Sequence, residues 1–411
     1  MPRANGSQPP LSTTPFQLDS AEAAVIDAIR ADGPLSRTDL ARRLGTSRAS
    51  MTSIVNRLRA TEILIEVGQG KSAGGRPPAL LGINGRLGYV AGVDIGATSL
   101  DIALANFRGV ILERHAEEAD VRLGAEPLLG RAGQIIDDML ARQDASGEWL
   151  VAAGIGVPGP VEFSRGVLIA PPLMPTWEGY PIKAFVRSHF PRATVVVDND
   201  VNIMALGERE AGGGQGIDNF LFIKIGTGIG CGIICKGKVY RGSDGCAGDV
   251  GHICVDYNGP VCRCGNQGCL EIMAAGPAIA ARGLELGQSG ESPFLARRLQ
   301  ENDGALTAVD VGDAVAAGDR HASQIVRESG RRIGGVLAGL VNFYNPRAIL
   351  IGGGVANIGH LLLSSIRQAT LRRANPLSTR DLRIEYASLG ADSGVVGAMT
   401  LALEHVFVVD G

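Results

Sequence analysis

Two stretches of this chain, YVAGVDIGATSLDIALANFRG from Tyr89 and FLFIKIGTGIGCGIICKGKVYRG from Phe220, follow one plan: an apolar strand, a Gly/Thr turn, a second apolar strand and a second tight turn. Two copies of such a unit, set among helical stretches, predict an α/β body of two similar lobes facing a cleft. The turns Asp94-Ile95-Gly96-Ala97-Thr98 and Gly226-Thr227-Gly228-Ile229-Gly230 offer backbone N–H groups and hydroxyls with little side-chain bulk. Read singly, each is a hairpin turn. Read together, Asp94, Gly96, Thr98, Gly226, Thr227 and Gly228 would surround the phosphates of a nucleotide, with Asp94 able to hold a metal-nucleotide. The run Gly352-Gly353-Gly354 after a third apolar strand favours the second reading. The 58 glycines gather in clusters of this kind, without a collagen-like period.

Charge divides the chain before that body begins. Residues 1–90 carry 11 Lys/Arg against 7 Asp/Glu, a balance of +4, and the net charge of -3 then leaves -7 for the remainder. A basic head on an acidic body suits a molecule whose head alone meets a polyanion. Residues 1–18 show no usable periodicity and read as a mobile tail. Three helical patterns follow. Ala21 to Arg30 places Val25, Ile26 and Ile29 on one face. Ser36 caps a helix through Leu44 that Gly45 ends, and Ser47 caps a third, Arg48 to Arg59, with an apolar stripe of Met51, Ile54, Val55 and Leu58.

The other face of the third helix is short, hydrogen-bonding and cationic: Ser47, Arg48, Ser50, Thr52, Ser53, Asn56 and Arg57. That is either a solvated surface or a face laid in the major groove of DNA. The helix-turn-helix spacing favours DNA, as does the next segment. Glu62 to Val67, a Gly/Pro-rich turn and Ala79 to Ile83 read as a two-stranded wing, and Arg76 at its tip could enter a narrow minor groove. The expected partner is double-stranded operator DNA.

All seven cysteines lie between Cys231 and Cys269. No export signal or membrane-spanning run is read in the chain, so a cytoplasmic location is expected and clustered thiols read first as metal ligands. Cys262, Cys264 and Cys269, in C-x-C-x4-C spacing, with His252 ten residues earlier, make a Cys3His set for structural zinc, a closed tetrahedral site. The alternative is three buried free thiols. Cys231, Cys235, Cys246 and Cys254 read as core or hairpin positions. After the strand Thr194 to Val197, Asp198-Asn199-Asp200 with Glu208 two turns on is either a helix cap or a carboxylate opening into a cleft, able to act as general base toward a sugar hydroxyl.

Assembled, these residues resemble the ROK family of sugar-responsive repressors and sugar kinases. The resemblance rests on Asp94 to Thr98, Gly156 to Pro160, Trp177-Glu178-Gly179, Asn199-Asp200 and Cys262 to Glu271. Gly75-Arg76-Pro77 matches the wing of the family's repressors. It implies an N-terminal winged helix-turn-helix, mainly α with a β wing, over residues 19–85, followed over 86–411 by a two-lobed α/β sugar-kinase-like domain of the actin-like ATPase type. It further implies Asn199, Asp200, Asp249, His252 and Glu271 as sugar contacts, with Asp200 the catalytic base in members that phosphorylate, so that His252 is both zinc ligand and sugar neighbour. Ala97 stands where a second glycine is usual and Asp249 where a Glu is usual. Two functions follow: a regulator, most simply a repressor, that binds a sugar or sugar phosphate and acts as a homodimer or homotetramer, or an ATP- and Mg2+-dependent sugar kinase with a DNA-binding head.

Overall fold

Asp19 opens the first helix, α1 (Ser20–Asp32), through a reciprocal cap: its carboxylate accepts the Glu22 N–H at 2.7 Å, and Glu22 accepts the Asp19 N–H at 3.0 Å. Ser36 caps α2 (Arg37–Arg43) and Ser47 caps α3 (Arg48–Ala60), as the sequence leads one to expect. Val25, Ile26, Ile29, Leu40, Met51, Ile54, Val55 and Leu58 are all buried. The wing strands are Leu64–Gln69 and Ala79–Ile83, antiparallel, with Leu35–Ser36 on the far side of the second. The first wing strand starts two residues later than expected because Glu62 occupies a left-handed turn, φ 58°.

The computed structural model describes residues 16–71 and 77–409 and divides into two compact units. The first comprises its residues up to Ile155, 180–197 and 398 onward. Residues 1–15 of the expected tail lie outside those described, and its last three residues are corrected. Phe16–Leu18 forms a strand paired in parallel with Phe407–Val409, and Phe16 is 6% exposed, edge-on to Phe107 with ring centres 5.4 Å apart. One apolar cluster runs from Phe16, Val25, Leu40, Met51 and Leu58 into Phe107, Val151, Met399 and Val406. The winged helix thus shares its core with the body beside it. The first unit's sheet takes its strands, in chain order Tyr89–Ile95, Ser99–Asn106, Ile111–Glu118, Leu150–Val157 and Thr194–Asn199, in the spatial order fifth, fourth, first, second, third.

The second unit, 156–179 and 198–397, repeats that order. Its strands are Phe220–Ile225, Ile229–Cys235, Lys238–Val239, Ala348–Gly352 and Arg383–Tyr386, lying third, second, first, fourth, fifth. The first two form an antiparallel hairpin in each sheet, so the repeat seen in the sequence is a repeat of structure. The helices Gly276–Ser289, Arg320–Tyr344 and His360–Arg373 contribute to the apolar cluster that includes Ile223, Ile349 and Ile351. Among the described residues no helix is long and apolar enough to cross a membrane.

Candidate functional site: a helix cap, a carboxylate pair and a Cys3His cluster

In the second unit Asn199 ends a strand and caps the helix Asp200–Ala211, its Oδ1 accepting the Val201 N–H at 2.9 Å. Its Nδ2 donates to the Gly159 carbonyl at 2.9 Å, which ties the Gly156 to Pro160 segment to the cap. Asp198 is buried at 2% and accepts from Asn202 Nδ2 at 2.9 Å and from Arg241 at 2.9 and 2.7 Å. This first aspartate holds the framework. Asp200, 4% exposed, has Oδ1 on the Val201 N–H and Oδ2 on the Lys224 ammonium, so its charged form is compensated inside the fold. Sequence reasoning missed Lys224 and Arg241, although a lysine inside FLFIKI is a signal in itself: a cation in an apolar strand needs a partner.

Glu271, in the short helix Leu270–Ala274, accepts the Ile229 N–H at 3.2 Å beside the turn of the second hairpin. A Cβ on Gly228 would lie 2.5 Å from Glu271 Oε2, so a side chain here would make the carboxylate shift. Gly226 N–H donates to the Gly228 carbonyl at 2.9 Å, closing the turn around Thr227. In the first unit the matching turn is closed by Gly96 N–H on the Ser99 carbonyl at 2.8 Å; Asp94 lies on the strand before it and Thr98 within it. Asp249 is exposed, its carboxylate 3.8 Å from His252 Nε2.

The other ring nitrogen of His252 faces the thiols: Nδ1 is 3.7 Å from Cys262 Sγ, and Cys264 Sγ is 3.7 Å from Cys269 Sγ. The donor atoms of His252, Cys262, Cys264 and Cys269 all lie within 4.8 Å of one another, a cluster that could hold a metal ion. Burial, and then the neighbouring Cys264 and Cys262 sulfurs, push the Cys269 thiol up to about 12. Of the remaining cysteines, Cys231 is buried while Cys246 and Cys254 are exposed, so the expectation of core or hairpin positions covers them unevenly.

On α3 the seven polar residues named from the sequence, Ser47 to Arg57, are exposed. They are not equally available. Ser47 Oγ caps the helix and Thr52 Oγ1 donates to the Arg48 carbonyl at 2.8 Å. The Arg57 guanidinium donates to Glu22 at 2.7 Å and to Asp19 at 2.6 Å, which bolts α3 to the cap of α1. Arg48 makes no ion pair among the described residues. Arg76 lies outside them.

The ROK family model matches residues 90–405 and the MarR family model residues 16–71. The chain belongs to the ROK family, and a MarR-type winged helix precedes its sugar-kinase-like α/β domain. It is similar to the xylose repressor of Caldicellulosiruptor bescii, 31% identical over 376 residues, 90% of this chain and 92% of that one. The solved structure of a ROK family transcriptional regulator, a homologue of the Escherichia coli MLC protein, superposes with a TM-score of 0.79 at 27% identity, covering 94% of this chain and 97% of that one. A ROK family glucokinase from Streptomyces griseus, in complex with glucose and AMPPNP, superposes at 0.65 with 32% identity and covers 77% of this chain but 100% of its own. The regulators match end to end; the kinase leaves the head over.

Proposed function

We propose that the chain is a sugar-responsive transcriptional repressor. The carrying observation is the exposed polar face of α3, in a winged helix that shares its core with a sugar-kinase-type body. In this reading the N-terminal half of α3, led by Arg48 and Ser50, meets base edges in the major groove, with Ser53, Asn56 and the Arg76 wing alongside. Ser47, Thr52 and Arg57 hold the helix in position. A sugar or its phosphate binds among Asn199, Asp200, Asp249, His252 and Glu271, and the relatives' name puts xylose first among sugars to try. Binding changes operator affinity through its preference for one arrangement of a homodimer or homotetramer.

The metal of the Cys3His cluster is Zn2+. A tetrahedron with sulfur arms of about 2.3 Å has edges of about 3.8 Å, which accords with the 3.7 Å between the Cys264 and Cys269 sulfurs. The ion would keep the loop folded and fix the His252 ring through Nδ1, leaving Nε2 toward Asp249. Three thiolates and an imidazole leave it no open position, so its role is structural.

A thermal-shift screen of aldopentoses and aldohexoses, with and without ATP and Mg2+, tests the reading. A sugar should stabilise the protein without nucleotide, and Asp200→Asn should abolish that shift. Stabilisation only with ATP and Mg2+, accompanied by turnover, would make the protein a kinase and place the Asp94 to Thr98 and Gly226 to Gly228 turns on phosphate. No response to any sugar would defeat both readings.

A further inference from the structure

The helices Arg320–Tyr344 and His360–Arg373 together carry seven arginines against one glutamate, within a body of net negative charge. They approach closely because Gly330 and Gly334, one turn apart, face the second helix: a Cβ on Gly330 would lie 3.0 Å from the Leu362 carbonyl oxygen and one on Gly334 2.5 Å from that of Ile366. That approach brings Arg331 and Arg332 of the first helix together with Arg373 of the second around a cavity of about 520 Å³. Gly339 leaves its floor open, Gly335 lies under the Arg373 guanidinium, a Cβ there falling 3.1 Å from Nη1, and Val336, Leu340 and the stretch Ile253–Val255 supply apolar wall.

None of the three arginines makes an ion pair among the described residues. Arg331 and Arg373 make no ion pair or hydrogen bond among the described residues, and Arg332 only reaches the Met273 carbonyl at 3.4 Å. The single glutamate of the two helices, Glu328, lies in the field of Arg332 but is ion-paired to Arg282 at 2.8 Å. Another cavity on the same unit is different, since its Arg347 is matched to Asp381 at 3.1 Å and its Arg383 to Glu385 at 2.9 Å. Converging guanidiniums repel one another and are stabilised by an anion that accepts several of their N–H groups at once.

We infer that this groove is a binding site for a small organic phosphomonoester, distinct from the residues assigned to the sugar. A phosphomonoester carries about two negative charges and three acceptor oxygens, enough to engage two or three arginine forks, and its organic part would lie on Val336, Leu340 and Ile253. The volume is in the range of small-molecule sites, roughly 300–1,000 Å³. A second copy of this chain suits the groove less well. A two-fold contact would set the arginine-rich face against itself.

The test is titration calorimetry on the full chain with inorganic phosphate, a hexose 6-phosphate and AMP. One organic phosphomonoester should bind once per chain, about tenfold or more tighter than inorganic phosphate. The double variant Arg331→Ala/Arg373→Ala should weaken it about tenfold or more, and Gly339→Leu, which fills the floor from an open helical face, should do the same with the arginines intact. An excess of the unphosphorylated hexose should not displace it, which separates this site from the sugar pocket. The inference is overturned if no organic phosphate exceeds inorganic phosphate, if both groove variants bind as the wild type does, or if either variant turns an oligomer into monomers in sedimentation, since the groove is then an interface between copies.

Discussion

Glu208 has no solvent exposure, yet it is a carboxylate. It accepts from Gly213 N–H at 2.8 Å, Leu389 N–H at 2.9 Å, Ser393 Oγ at 2.9 Å, Ser388 N–H at 3.1 Å and Ser388 Oγ at 3.3 Å, so the helix that Asn199 caps is tied to the segment before the helix Asp392–His405. Removing the acceptor would orphan five donors. Glu208→Ala should therefore cost about 3–5 kcal/mol, read by urea denaturation, and a loss below about 1 kcal/mol would mean that water replaces the carboxylate. In the sequence this glutamate stands only as one more acid near a possible base, because its partners lie some 180 residues away. On the exposed face of α3 proposed to meet DNA, geometry separates two arginines that composition treats alike. Arg48→Ala should reduce operator affinity by about tenfold or more in fluorescence anisotropy, whereas Arg57→Ala, which releases α3 from Glu22 and Asp19, should reduce it less. Equal losses would show that Arg57 leaves its carboxylates to contact DNA.

Among elements, the loop between the 3-10 turn Val250–His252 and the helix Leu270–Ala274 has no helix or strand of its own. Turn-type backbone hydrogen bonds hold it, such as Cys262 N–H on the Asn266 carbonyl at 2.7 Å and Gly268 N–H on the Pro260 carbonyl at 2.8 Å, while it exposes Ile253, Tyr257 and Val261. A bound metal ion would do there what an apolar core does elsewhere. Cys264→Ser, or chelation, should release one equivalent of zinc and raise amide exchange across residues 253–269, with the hairpin Phe220–Cys235 unaffected. Protein that carries no metal, or a loop that stays protected after stripping, would contradict this. The spacing of the three cysteines made the site legible, since C-x-C-x4-C is a local pattern. His252 is also named by its spacing; the fold adds which ring nitrogen faces the thiols and which faces Asp249.

For the molecule, the shared core of the head and the first unit matters most. Phe16 is packed against Phe107 and Phe407, and the Arg30 guanidinium lies 5.2 Å above the Phe407 ring. Phe16→Ala should cost about 3–5 kcal/mol and should increase amide exchange in α1 as well as in the strand Ser99–Asn106. Exchange confined to the head would mean that head and body unfold independently. What the sequence alone determined is local or periodic: the three helices of the head, two of them with their caps, the wing strands, the duplicated hairpin and the cysteine loop, each written in neighbouring residues that obey one period or one turn rule. What only the tertiary structure decided is pairing across distance. Phe16–Leu18 became a strand rather than a tail because Phe407–Val409 lies beside it, Asp200 acquired Lys224, Asp198 acquired Arg241, and Arg57 was drawn from the DNA face to Glu22. A buried charge or an edge strand finds its partner through the folded chain, and no local pattern names that partner in advance.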